Sequence, residues 1–176
     1  MRLDPLVVLL NKNLNLDKNF YFISGNEPTL IQKICRKIID VYRKEENLLL
    51  ESIDTINEYK GGAGLFEDKK IYLIKSVNGF DEKFFEKTLV TPDIFIFAQE
   101  NSQKIKKTKN FLVKSKDSYL VDCYELDRGS KIKILNEFLK LTTKVIPEEL
   151  FWFLVEKLDD RYAFFESALS NVLELN

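Results

Sequence analysis

The chain has 176 residues, of which 45% are hydrophobic and 31% charged, and its formal net charge is −1. This size and composition are typical of a folded globular protein and exclude a wholly disordered chain. A nearly neutral chain has no overall attraction to nucleic acid, so any contact with phosphates must come from a local patch. The sequence contains no histidine. That absence excludes Ser–His and Cys–His nucleophile pairs and histidine metal ligands.

No apolar run approaches the length of about 18 residues that a membrane-spanning helix needs. Near the N-terminus, Asp4 and Pro5 precede a short apolar stretch that has no small-residue cleavage site after it, which argues against a secretory signal. We therefore expect a cytoplasmic protein without a membrane partner. Cys35 and Cys123 are far apart and have apolar neighbours, which predicts buried reduced thiols rather than a metal site. We expect neither a metal nor a cofactor.

A short apolar helix near the N-terminus is followed by a predicted strand over residues 19–25. Asn26 or Glu27 is then expected to cap a helix that has Pro28 in its first turn. Apolar doublets recur every four residues along this helix as far as Tyr42. Such a broad apolar stripe predicts that one face of the helix packs on a sheet.

The strand–glycine–helix junction is where a nucleotide-binding fold places its phosphate-binding loop. Such a loop needs glycines whose backbone N–H groups converge on the anion, followed by a lysine and a serine or threonine. Here the sequence is Gly25-Asn26-Glu27-Pro28, without the second glycine or the lysine. Pro28 has no N–H to donate, and Glu27 adds a negative charge. The pattern predicts the geometry of a nucleotide-binding fold with a degraded phosphate loop.

The remaining elements alternate and then change character. Helices are predicted over 53–59, 80–89 and 104–116 between strands over 48–52, 71–77, 94–98 and 118–124. Alternation of this kind predicts an α/β fold with a parallel sheet. In the helix over 80–89 we expect Phe84, Phe85 and Leu89 to point inward. Beyond Arg128 only helices are predicted, over 131–141, from Pro147 onward and over 161–175, with Trp152 in their core. We therefore predict two domains, 1–126 and 127–176.

Two segments are candidate interaction sites. Gly61, Gly62 and Gly64 break the backbone before the apolar pair Leu65 and Phe66. Phe66 either tucks under the sheet as core, or both side chains project as a plug for a partner's pocket. The second segment, residues 101–116, carries six lysines and no acidic residue. It is either a solvated helix face or a contact for DNA phosphates, with the candidates Lys104, Lys106, Lys107 and Lys109.

Four segments together resemble one family, the delta subunit of the bacterial DNA polymerase III clamp loader. Residues 21–31 are similar to its strand, Gly-Asp/Asn-Glu-Pro turn and helix start, and residues 64–74 to its Leu-Phe helix and following strand. Residues 94–98 and 104–107 are similar to its apolar strand and lysine-rich segment. Asp159, Arg161 and Glu166 match its last lid helix in part. The resemblance implies a P-loop NTPase-like (AAA+) parallel sheet with a degraded phosphate loop, followed by a small three-helix lid domain.

The resemblance also implies a function. The family opens the ring-shaped sliding clamp, the beta subunit, for loading during DNA replication, and its apolar wedge falls on Leu65 and Phe66. A further wedge position falls on Ala63, whose small side chain implies a weaker contact. Other expected partners are the gamma/tau and delta prime subunits, if a collar domain exists, and DNA indirectly. In the family ATP switching resides in partner subunits, so no catalytic residue is expected.

Two alternatives stay open. If the chain is not a clamp-loader subunit, it is either a structural adaptor of AAA+ shape without a clamp role, in which Phe66 is core, or a nucleotide-binding enzyme with an atypical loop. The collar domain of the family has no counterpart in this sequence, which fits both a piece of a longer product and a short relative. Whether the chain is a piece or a short relative, clamp binding is a firmer expectation than membership of a complete clamp loader.

Overall fold

The computed structural model describes residues 1–61 and 68–174, without the side chains of Glu45, Leu173 and Glu174. The chain divides into two compact units, Met1–Cys123 and a second unit that begins at Tyr124. Among the described residues, no helix combines the length and the hydropathy that crossing a membrane requires.

The first unit is built on one sheet. Within residues 1–61 and 68–123 it has six strands, all pairing in parallel, in the order β1-β6-β2-β5-β4-β3. The strands are β1 (Arg2–Leu3), β2 (Phe20–Gly25), β3 (Leu49–Ile53), β4 (Lys70–Ile74), β5 (Ile94–Glu100) and β6 (Ser118–Cys123). The parallel sheet that the alternating sequence pattern predicts is therefore confirmed.

Helices connect the strands and cover the sheet. They are α1 (Pro5–Leu10), α2 (Pro28–Glu46), α3 (Glu82–Leu89) and α4 (Gln103–Lys114), and a short 3₁₀ turn spans Ile56–Glu58. The central strand β2 is buried along its whole length. Aromatic rings fill one side of the core, where Phe20 stacks on Phe97 and meets Phe85 edge-on, with ring centroids 5.1 Å apart in both pairs. Such aromatic pairs contribute beyond the area that they bury.

Two predictions about this unit are wrong, and two strands show what the sequence pattern leaves open. The helix predicted over 53–59 is only the 3₁₀ turn Ile56–Glu58, because β3 extends to Ile53. The two-residue strand β1 has no signal in the sequence, because alternation cannot be recognised over two positions. The apolar run that predicts β3 lies at an edge of the sheet, where Leu49 stays 67% exposed. Leu89 does not point inward. It is 38% exposed, while Thr88 takes the buried position and donates its hydroxyl to the Phe85 carbonyl.

The second unit consists of α5 (Arg128–Thr142), α6 (Glu148–Lys157) and α7 (Tyr162–Glu174) in its described part. Its core includes Leu135, Leu154, Phe165 and Leu169. Lys131 is buried in this unit, where its ammonium donates to the Leu158 carbonyl at 2.6 Å and pairs with Asp160. A buried cation is tolerated only with such partners, so this lysine ties α5 to the end of α6.

Trp152 is not a core residue, as it was expected to be. It lies 37% exposed on α6, whose buried positions are Leu154 and Val155. The indole N–H donates to Glu148 at 3.2 Å, and the guanidinium of Arg128 lies 5.0 Å from the ring centre. The indole N–H needs a hydrogen-bond partner, and the surface position supplies one that an apolar core would not.

Candidate functional site

The junction between β2 and α2 lies where a nucleotide-binding fold would hold phosphate. The chain here is drawn against β6, since the backbone N–H groups of Asn26 and Glu27 both donate to the Cys123 carbonyl, at 3.1 and 3.3 Å. A Cβ at Gly25 would lie only 1.6 Å from that same oxygen. Gly25 therefore permits a close approach of two strands. The N–H groups that a phosphate-binding loop turns toward its anion are already used within the protein.

The side chain of Glu27 caps α2, as the sequence predicts for Asn26 or Glu27. It is only 1% exposed, and its carboxylate accepts hydrogen bonds from the backbone N–H of Thr29 and of Leu30. The Thr29 hydroxyl donates to both carboxylate oxygens at 2.9 Å. Pro28 occupies the first turn, where an N–H would have no helical partner. The protein's own carboxylate thus satisfies the positive end of this helix.

This arrangement opposes phosphate binding. A phosphate placed at the same helix end would compete with the Glu27 carboxylate for the same donors. Two like charges about 4 Å apart near a protein surface repel by about 4 kcal/mol. The segment Gly25–Pro28 lies at the strand–helix junction where a phosphate loop would lie, and its chemistry is that of a closed helix cap.

Replacing Glu27 by alanine should destabilise the first unit by about 2 kcal/mol, because it removes a cap and leaves buried donors unpaired. Urea denaturation followed by circular dichroism measures this change. Asp127 is a matched control: it caps α5, is exposed, and accepts from the Ser130 N–H at 2.7 Å. Its replacement by alanine should cost about 1 kcal/mol or less. An E27A variant as stable as wild type would show that capping by the Glu27 carboxylate does not stabilise α2.

The predicted plug residues lie elsewhere. Leu65, Phe66 and Ala63 fall within 62–67, outside the described residues, so their placement stays a prediction. The chain enters this segment through residues 59–61 and leaves it through residues 68–69, directly before β4. Because β4 begins at Lys70, the two flanks lie at the end of the sheet where the parallel strands begin. Gly25 and Glu27 lie at the opposite end, where the strands finish.

Both flanks meet at one carboxylate, that of Asp93. Its Oδ2 accepts from the Tyr59 hydroxyl at 2.8 Å and its Oδ1 from the Lys70 N–H at 2.9 Å. The sequence analysis assigns no role to Asp93. No local signal could have revealed it, because the two partners lie 34 and 23 positions away.

The candidate phosphate-contacting lysines differ in their surroundings. Lys104, Lys106 and Lys107 are exposed on α4. Lys109 is half-buried and forms an ion pair with Asp122 of β6, which Arg2 also approaches at 3.8 Å. The four lysines therefore do not form one equivalent set, and the ammonium of Lys109 already has an anionic partner.

The two cysteines are buried, as expected. Burial raises the pKa of the Cys35 thiol to about 12 and also raises the pKa of Cys123. Neither thiol is therefore in the thiolate form that nucleophilic attack or metal binding requires near neutral pH. Among residues 1–61 and 68–174, no cluster of three metal-ligating side chains is present.

Comparisons with solved structures identify the fold. The DNA clamp loader delta protein of Bacillus subtilis is similar to this chain with a TM-score of 0.57 and 15% sequence identity. The match covers 89% of this chain and 53% of that protein, so this chain spans about half of its length. Domain III of the Thermotoga maritima replication initiation protein DnaA matches with a TM-score of 0.46 and 19% identity, over 96% of this chain and 79% of that one.

No protein-family model and no curated protein matches the chain. The likeness to the clamp loader protein shows the fold alone. The chain has an α/β fold of the AAA+-like type, with a parallel six-stranded sheet in its described part and helices after it.

Proposed function

We propose that this chain is a delta-like clamp-loader subunit, which binds the sliding clamp and helps to open it for loading onto DNA during replication. The observation that carries the proposal is an AAA+-like sheet whose phosphate position is closed by the Glu27 carboxylate. A scaffold of this kind is suited to a protein–protein role within an ATP-driven assembly. It has no evident need to hydrolyse ATP itself.

The clamp contact is proposed for Leu65 and Phe66, with a smaller contribution from Ala63. The proposal is supported by the sequence resemblance and by the likeness in fold to a clamp loader delta protein. Burying two large apolar side chains supplies about 1.5–3 kcal/mol each, which is enough to make them binding hot spots. The flanks of these residues lie at the end of the sheet opposite Glu27, so clamp binding does not require a phosphate bound at the start of α2.

Opening of the clamp is proposed to follow from differential affinity. A ligand shifts a conformational equilibrium only as far as it binds one state better than the other. The chain should therefore bind a clamp with a distorted or broken subunit interface more tightly than a closed ring. Association with gamma/tau and delta prime subunits belongs to the same proposal, as does access to DNA through the clamp, with Lys104, Lys106 and Lys107 as the exposed candidates for direct phosphate contact.

Calorimetric titration tests this function. We expect wild-type chain to bind the sliding clamp encoded in the same genome, and to bind more tightly a clamp variant whose subunit interface is broken. We expect no heat of binding when ATP and Mg²⁺ are titrated into the same protein, because Glu27 holds the phosphate position. ATP binding in the micromolar range without clamp binding would contradict the proposal and favour a nucleotide-binding enzyme.

A further inference from the structure

Asp93 joins the chain that enters the segment 62–67 to the chain that leaves it. The carboxylate is 7% exposed and lies directly before β5. One oxygen accepts from the Tyr59 hydroxyl and the other from the Lys70 N–H, at 2.8 and 2.9 Å. Both oxygens of a single buried group are thus engaged by the two flanks of one segment.

The Tyr59 side of this link is packed against the aromatic core. Its ring meets Tyr72 and Phe95 edge-on, with ring centroids 4.9 and 5.1 Å apart. Burial and the hydrogen bond to Asp93 raise the pKa of the Tyr59 hydroxyl. The phenol therefore remains a proton donor throughout the neutral range, and the link to Asp93 persists there.

Each flank also has an anchor of its own. On the entering side, Ile56 is buried and the Glu58 carboxylate accepts from the N–H groups of Asp54 and Thr55, at 3.2 Å each. On the leaving side, the Lys69 ammonium pairs with Glu46 of α2 at 2.7 Å. Asp93 is therefore the link between two chain ends that are each already fixed to the domain.

A segment whose ends are held apart at a set distance and direction loses less entropy when it binds a partner. A protein that presents its binding segment correctly in only a fraction of its molecules binds correspondingly more weakly. Asp93 bears on both quantities, because it ties Tyr59, two residues before residue 61, to Lys70, two residues after residue 68.

We propose that Asp93 is a positioning residue for the clamp-binding segment, which raises clamp affinity by fixing the flanks of residues 62–67 without touching the clamp. This inference rests on the proposed function, because it takes the hydrophobic pocket of the sliding clamp as the partner of Leu65 and Phe66.

Two variants test the inference against a matched control. Asp93→Asn replaces one accepting oxygen by a donating NH₂ group, so it cannot serve both flanks. Tyr59→Phe removes one hydrogen bond and keeps the ring contacts. The control is Asp54→Asn, which also removes one carboxylate but at an exposed pair with Lys75, at the opposite end of β4. We expect clamp affinity to fall about tenfold in D93N, about 1.4 kcal/mol, to fall less in Y59F, and to stay unchanged in D54N.

Hydrogen exchange separates positioning from a general loss of stability. In D93N the amides of residues 60–61 and 68–70 should exchange faster, while those of β2 should exchange as in wild type. Faster exchange throughout the sheet in both D93N and Y59F would overturn the inference, because the loss of affinity would then follow from a general loss of stability. Wild-type clamp affinity in both D93N and Y59F, beside lost binding in a Leu65→Ala/Phe66→Ala variant, would overturn the inference and leave the proposed function standing. Wild-type binding by that double variant would instead overturn the proposed function, and this inference with it.

Discussion

Replacing Gly25 by alanine is expected to destabilise the first unit by about 3 kcal/mol or more, at the upper end of what adding one methyl group to a packed interior costs. The added Cβ would lie 1.6 Å from the Cys123 oxygen and 2.4 Å from its carbonyl carbon. Both are backbone atoms of a buried strand, and they cannot move aside as a flexible side chain can. The strands β2 and β6 must separate, and the hydrogen bonds from Asn26 and Glu27 to Cys123 are strained or lost.

Urea denaturation measures this effect, and Gly129 supplies the control. Gly129 lies in the first turn of α5, where an added Cβ would meet only the Asp127 carboxylate oxygen at 3.6 Å. Alanine there should stabilise the helix by up to about 1 kcal/mol, because alanine favours helix over glycine. If G25A and G129A unfold at the same urea concentration as wild type, the close approach of the two strands is not the constraint described above.

Replacing Leu65 and Phe66 together by alanine is expected to weaken clamp binding at least about 100-fold. Losing the burial of two large side chains removes about 3 kcal/mol or more, and every 1.4 kcal/mol is a factor of ten in affinity. Because these side chains are proposed to face a partner, the stability of the chain itself should hardly change. Calorimetric titration with the clamp and thermal unfolding of the free chain measure the two quantities.

The matched control changes two apolar residues that are known to be exposed. Leu49 and Leu50 lie on the edge strand β3 at 67% and 41% exposure, and their replacement by alanine should leave clamp affinity unchanged. A loss of about 3–5 kcal/mol in stability for L65A/F66A would be the signature of core residues. That result would favour the structural adaptor without a clamp role.

The parts of the fold that sequence analysis predicts are those with a local pattern. The apolar run Ile94–Phe97 is fully buried because parallel strands are covered on both faces, and the order of strands and helices alone predicts that arrangement. The cap at Glu27 is likewise local, since the capping carboxylate and the N–H groups that donate to it lie within three residues. The closed phosphate position could therefore be inferred from the sequence. The structure adds that the Cys123 carbonyl accepts the hydrogen bonds from the Asn26 and Glu27 N–H groups.

Features that depend on contacts between distant residues could not be predicted. The Asp93 link joins Tyr59, Lys70 and a turn before β5, and none of these positions carries a distinctive pattern. The core position predicted for Trp152 is wrong, because the indole instead lies at the surface beside Arg128 of the preceding helix. In α3 the inward position belongs to Thr88, a polar residue that becomes compatible with burial by donating to a carbonyl within its own helix.

Clamp binding through Leu65 and Phe66 is tested most directly by a pull-down on immobilised sliding clamp from the same genome, with the wild-type chain and the L65A/F66A variant side by side. We expect the wild-type chain to be retained and the folded double variant to pass through. Equal retention of both proteins, or failure of the wild-type chain to be retained at micromolar concentration, would contradict this expectation.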